Sequence, residues 1–263
     1  MNELELKEEL ARIRKQHTED LAQKTFNLLL MGRVGVGKTR LVTTARKPVL
    51  IHSFDPGGTT HLRKWKEDGS IIVDSRFEID DREHPTAYDL WDTEFLELRQ
   101  KGFFNNIGTY VIDGLTMLLN AAKNRLVEQR GPVKCEGGVI DPTGWQILQG
   151  TISDIIKLAT NLPCDFIMMS HIIKGIDPAN GLPVRSLAAP PKMQVLIPLL
   201  FGERWQLRIS ETSKGIDRYI HTQISEYDCS STRMGEGVFN AKEPPDIKKL
   251  LEKAGYPTKD KAY

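Results

Sequence analysis

The chain has 263 residues, 40% hydrophobic and 27% charged, which is enough apolar content for one large α/β core or two small ones and rules out a disordered chain. Its 36 basic and 35 acidic residues leave a net charge of +1, so no global electrostatic footprint marks a nucleic-acid or membrane partner, and any DNA site must be local. Cys135, Cys164 and Cys229 are an odd set without metal-ligand spacing, which argues against zinc, and no apolar run approaches the roughly 20 residues of a membrane span; a soluble, cytoplasmic protein with reduced thiols is expected.

Leu6, Leu10, Ile13 and His17 recur at helical spacing in a Glu-, Lys- and Arg-rich segment, predicting an amphipathic helix over residues 3–23. Its narrow apolar stripe needs a partner, either the chain's own core or a neighbouring subunit. Residues 25–31, TFNLLLM, read as a buried strand. Directly after it, Gly32-Arg33-Val34-Gly35-Val36-Gly37-Lys38-Thr39 fits G-x-x-x-x-G-K-[ST] at every specified position. Gly32, Gly35 and Gly37 let successive N–H groups curl around phosphate oxygens, Lys38 faces the β- and γ-phosphates, and the Thr39 hydroxyl is placed for Mg²⁺. A helix over 39–45 would point its amino end at the phosphates.

A second strand, 48–54, runs into the turn sequence Asp55-Pro56-Gly57-Gly58, and residues 71–74 form a third. Leu90, Trp91, Phe95 and Leu98 mark a helix over 87–101. Tyr110-Val111-Ile112-Asp113 is another buried strand, with a helical pattern from 115 to 129 behind it. Residues 131–144 hold glycines and prolines and read as a loop. Trp145, Leu148, Ile152, Ile155 and Ile156 define a helix ending at Pro163, and Asp165 to Ser170 is the next buried strand, followed by His171. A second loop spans 174–192 and carries Lys174, Arg185 and Lys192. Two alternating stretches, 204–210 and 218–225, suggest an antiparallel pair at a sheet edge, and a short helix over 246–254 precedes Gly255 and Pro257. The organisation is an N-terminal helix over 1–24, a core over 25–241 and a tail over 242–263. Strands alternating with helices imply a mostly parallel sheet.

Three residues at predicted strand ends carry candidate chemistry. Asp113 suits a Mg²⁺ site, or caps the following helix. Asp55, after the strand next to the phosphate loop, is placed to orient an attacking water, although Asp before Pro-Gly-Gly is also a favourable turn residue. His171 should face the γ-phosphate, or serve as a structural histidine.

In this order, GRVGVGKT, the acidic residue after the second strand, YVIDG and FIMMSH resemble the RecA-like ATPase core, and more narrowly the phage nucleotide-binding proteins, some of which act in single-strand annealing or recombination. The resemblance covers roughly residues 25–255. It implies a RecA-like P-loop NTPase fold of the α/β class: a mostly parallel central sheet flanked by helices, with late antiparallel edge strands. It further implies an ATPase using ATP and Mg²⁺, acting on single-stranded DNA as a ring or filament of identical subunits, with a single-strand DNA-binding protein as a further partner and no membrane. Lys38 and Thr39 then take phosphate and Mg²⁺, Asp113 lies on the magnesium side, and His171 matches the sensor that couples γ-phosphate to DNA. The loops 131–144 and 174–192 fall where the family binds DNA, which nominates Lys174, Arg185 and Lys192. Arg233 matches a basic residue that reaches a neighbour's γ-phosphate. Two departures stand out: recombinases place Glu where Asp55 lies, and Ser231-Thr232-Arg233 keeps only the arginine of the family's Lys-x-Arg pair. Neither loop contains an aromatic residue for base stacking. Alternatives are a helicase-like or loader motor, a nucleotide kinase, and a nucleotide-dependent binding module with little hydrolysis.

Overall fold

A computed structural model describes residues 2–21, 25–131, 135, 138–176, 181–213, 215–224 and 228–262. Parts of the expected helix 3–23, of both expected loops and of the 218–225 strand lie outside the described residues. In chain order the elements are α1 (Glu3–Leu21), β1 (Asn27–Gly32), α2 (Lys38–Leu41), β2 (Val49–Ser53), α3 (Arg63–Glu67), β3 (Ile71–Asp74), α4 (Ala87–Gln100), β4 (Thr109–Asp113) and α5 (Leu115–Arg130). They continue with α6 (Pro142–Thr160), β5 (Asp165–Ile176), β6 (Pro183–Leu187), α7 (Pro191–Leu199), β7 (Glu203–Thr212), β8 (Gly215–His221), β9 (Lys242–Glu243) and α8 (Ile247–Lys253).

One sheet organises the chain, in the order β3-β2-β4-β5-β1-β7-β8-β9. The pairs from β3 to β7 are parallel, whereas β7–β8 and β8–β9 are antiparallel. This is the α/β architecture expected of a RecA-like P-loop NTPase, including its late antiparallel edge.

The central strands read as unbroken apolar runs because both faces of the sheet are covered. Leu29 and Met31 of β1 join Tyr110, Ile112, Phe166 and Met168 in a cluster that packs against α4, α5 and α6. Leu28 and Leu30 point to the other face, among Val36, Leu41, Ile51, Val111 and Ile167. Period-two alternation therefore assigns every second residue of β1 to a different core. The chain after residue 241 closes the second core: β9 extends the sheet, and Ile247, Leu250 and Leu251 of α8 are buried there. On α1, by contrast, Leu6, Leu10 and Ile13 stay 43, 43 and 37% exposed. Among the described residues no helix is long and apolar enough to cross a membrane.

The register at β1 creates the feature on which the site depends. Gly32, its last residue, pairs with His171 on one side and Leu207 on the other. Both neighbours continue, β5 from His171 to Ile176 and β7 from Leu207 to Thr212. At about 3.3 Å per residue each extension is about 16 Å long, so a slot opens in the sheet above the end of β1.

The stretch 174–192 is not the loop expected from its glycines and prolines. Lys174 pairs with Arg185 in an antiparallel hairpin of β5 with β6, and α7 begins at Pro191. Pro183 is tolerated because it is the first residue of an edge strand, where its missing N–H leaves no ladder bond unmade.

Candidate nucleotide site

The phosphate loop spans the step from β1 to α2. Gly35 and Gly37 adopt φ of 74° and 104°, a left-handed backbone that a side chain would strain. Gly32 has no positive φ; its role is space, because a Cβ there would come within 2.9 Å of the Val36 side chain and 3.0 Å of the Leu207 carbonyl. α2 is shorter than the helix expected over 39–45: it gives way at Val42 to a 3₁₀ turn, where Val42, Thr43 and Thr44 bring β-branched side chains that disfavour continuation.

Lys38 is buried beneath the loop, where its Nζ donates to the carbonyls of Gly32 (3.1 Å) and Arg33 (3.2 Å) and lies 3.2 Å from His171 Nδ1. An ammonium only donates, so Nδ1 accepts and the ring proton belongs on Nε2, which faces Asp55 Oδ2 at 3.1 Å. Lys38, His171 and Asp55 thus form one hydrogen-bonded chain from the middle of β5 to the turn after β2. Burial lowers the Lys38 pKa, opposed by the charges of Asp113 and Asp55.

Beside this chain, Thr39 Oγ1 donates to Asp113 Oδ2 at 3.0 Å. Asp113 does not cap α5, whose N-cap is Gly114 without any side-chain bond. Burial, and then the nearby Asp55 charge, push the Asp113 carboxyl up to about 6, against the Thr39 hydrogen bond, Lys38 and His171. Two carboxyls close together, Asp113 buried and Asp55 half-buried, call for a cation. Asp55 Oδ1 is buried with no hydrogen-bond partner among the described residues, a further acceptor left to be satisfied. Gly114 allows this closeness: its φ is 102°, and a Cβ there would collide with the Asp55 carboxylate. Among the described residues no group of three or more His, Cys, Asp and Glu side chains is arranged to hold a metal alone. The donor set fits Mg²⁺ that arrives with phosphate oxygens, which Thr39 and Asp113 would hold.

The structure thus brings together the loop from Gly32 to Thr39 with Asp55, Asp113 and His171. It does not bring in Arg233 from the same chain. That residue is exposed, gives its backbone N–H to Glu203 Oε1, and donates from Nη2 to the Leu199 carbonyl. It borders a cavity with Phe26, Asn27 and Thr160, at the amino-terminal edge of the sheet, opposite the phosphate loop. Lys174 and Arg185 face the slot, whereas exposed Lys192 lies on α7 and does not.

The slot itself holds residues that the sequence reading did not single out. A cavity of about 400 Å³ is lined by Arg33 of the phosphate loop, Lys174 and Arg185 of the β5–β6 hairpin, and Arg208, Arg218 and Tyr219 of the β7–β8 hairpin. Asp228 bridges the two hairpins, 3.1 Å from Arg185 Nη1 and 2.5 Å from Arg208 Nη2. Burial works against that carboxyl, but the two guanidinium groups hold it below its ordinary pKa. The alternation of Arg204, Gln206 and Arg208 along β7 was the available signal for Arg208. Nothing in the spacing pointed to Arg218.

Strand order and loop together define the class, an α/β protein whose mostly parallel sheet carries a glycine-rich loop between β1 and α2 and an antiparallel edge. No family model matches the chain, and no curated protein matches it. Among solved structures it is similar to a KaiC-like protein from the hyperthermophilic archaeon Pyrococcus horikoshii, at 13% identity and a TM-score of 0.40, over 76% of this chain and 79% of that one.

Proposed function

We propose that the protein binds ATP with Mg²⁺ at the phosphate loop and hydrolyses it, acting on single-stranded DNA as an oligomer. The observation that carries the ATPase reading is the meeting of two side-chain pairs at one loop: Lys38 with His171 and Asp55, and Thr39 with Asp113. Lys38 exchanges its carbonyl partners for phosphate oxygens, and the loop N–H groups complete the cradle. Thr39 and Asp113 hold Mg²⁺, which when bound offsets charge building on the phosphates. Asp55 orients the attacking water through its carboxylate, which His171 holds at Oδ2. The link from Lys38 through His171 gives Asp55 a contact with whatever occupies the γ-phosphate position.

Asp55 is one methylene shorter than the glutamate of recombinases and is already engaged by His171, which favours slow basal hydrolysis. The DNA reading is supported by Lys174 and Arg185 facing each other on a hairpin beside the site. The phage setting, in recombination or annealing, has the motif resemblance as its support. ATP hydrolysis measured with and without a single-stranded oligonucleotide tests the proposal. It expects magnesium-dependent turnover that rises with the oligonucleotide. Tight ATP binding with no turnover in either condition would replace it with a binding module.

A further inference from the structure

The cationic slot lies outside the phosphate cradle yet touches it through one residue, Arg218. Its Nε donates to the carbonyl of Val36, inside the loop, at 3.0 Å, and a Cβ added to Gly37 would meet that same Nε at 3.4 Å. The guanidinium is therefore laid along the outer wall of the loop. Its terminal nitrogens make no hydrogen bond or ion pair with the described residues, and the side chain is exposed to the slot. A planar fork with free N–H groups matches a phosphate bidentately.

The rest of the slot suits a chain of phosphates better than a single anion. Arg33, Lys174, Arg185, Arg208 and Arg218 line it, and Asp228 is the carboxylate that bridges two of them. A second cavity of about 480 Å³ shares Lys174 and Arg185, so the cationic path continues outward along the β5–β6 hairpin. Tyr219, absent from the loops expected to bind DNA, supplies an aromatic ring, with Lys242 Nζ 5.0 Å from its centroid. A basic groove with a stacking platform is the chemistry of single-strand binding.

Resting on the DNA reading above, the geometry points to Arg218 as the residue that couples the two sites: a single strand in the slot is held by Lys174, Arg185 and Arg208, and its phosphate on the Arg218 fork fixes the Arg218–Val36 contact and hence the loop that cradles ATP. Arg218 is a positioning residue in this account. Arg208 binds the strand without touching the loop, so the two arginines should separate.

The experiment measures ATP turnover of the full chain against increasing oligo(dT), in the parent, Arg218→Ala, Arg218→Lys and Arg208→Ala, with oligonucleotide affinity measured at several salt concentrations. Arg208→Ala should need more oligonucleotide but reach the parent's maximal stimulation. Arg218→Lys should keep oligonucleotide binding and lose the stimulation, because the ammonium retains charge without the fork. Arg218→Ala should lose stimulation and flatten the log–log salt slope by about 0.7, one phosphate contact on a single strand. Equal stimulation in the parent and both Arg218 variants would overturn the coupling while leaving a DNA-stimulated ATPase intact. A parent that neither binds oligo(dT) nor responds to it would overturn both.

Discussion

At the scale of single residues, Asp113 shows a site built against stability. Its carboxyl is 2% exposed and its pKa is pushed up to about 6 from an ordinary 3.8. Between those values the folded chain binds a proton that the unfolded chain releases, so the contribution of this group to stability falls as pH rises from about 4 to about 6. The shift corresponds to about 3 kcal/mol by pH 7. Asp113→Asn should remove this cost, leaving the nucleotide-free protein more stable than the parent at pH 7 and close to it at pH 4, while abolishing magnesium-dependent turnover. Urea denaturation of both proteins at the two pH values measures it; a variant less stable at pH 7 would show that the carboxylate is satisfied without a cation. Lys38, Thr39 and Asp113 were readable in the sequence because the loop motif and a strand-ending aspartate need only local spacing. Arg218 was not, because it meets Val36 through a hairpin register that no local pattern encodes.

At the scale of elements, the ordering of the sheet depends on contacts between its strand starts and the connections around them. Arg46, just after the 3₁₀ turn that follows α2, makes a two-pronged ion pair with Asp165 at the start of β5, at 2.5 and 2.7 Å, and Asp165 also accepts from the Phe26 N–H before β1. Both side chains are buried, and burial raises the Asp165 pKa against the pull of Arg46. Removing one partner strands the other charge, at about 3–5 kcal/mol. Asp165→Ala should lose that much in chemical denaturation, and a loss under 1 kcal/mol would mean that water reaches Arg46. The buried strands and long helices were visible as apolar runs and helical repeats. The β5–β6 hairpin was hidden because Gly175, Gly181 and Pro183 carry turn signals, while its strand character comes from continuing a strand already paired inside the sheet.

At the scale of the whole molecule, the cluster at the carboxyl edge lacks a basic residue from Arg233, which lies at the opposite edge of its own sheet. The proposed oligomer would let Arg233 serve a neighbouring site. An arginine finger supplied in trans contributes roughly 10³-fold to turnover. Arg233→Ala should then keep ATP binding and lose turnover, and mixing it with Lys38→Ala should restore activity at composite interfaces. Full turnover in Arg233→Ala would mean that each chain completes its own site. Net charge and composition could not reveal this level, because a balanced total hides five cations gathered in one slot.

The central claim, that the loop from Gly32 to Thr39 holds a magnesium-bound triphosphate, is tested most directly by calorimetric titration of ATP into the parent and Lys38→Ala, with Mg²⁺ and with EDTA. The account predicts binding by the parent that tightens with Mg²⁺, and its loss in Lys38→Ala with the thermal transition of the fold retained. Equal ATP affinity in the two proteins would contradict it.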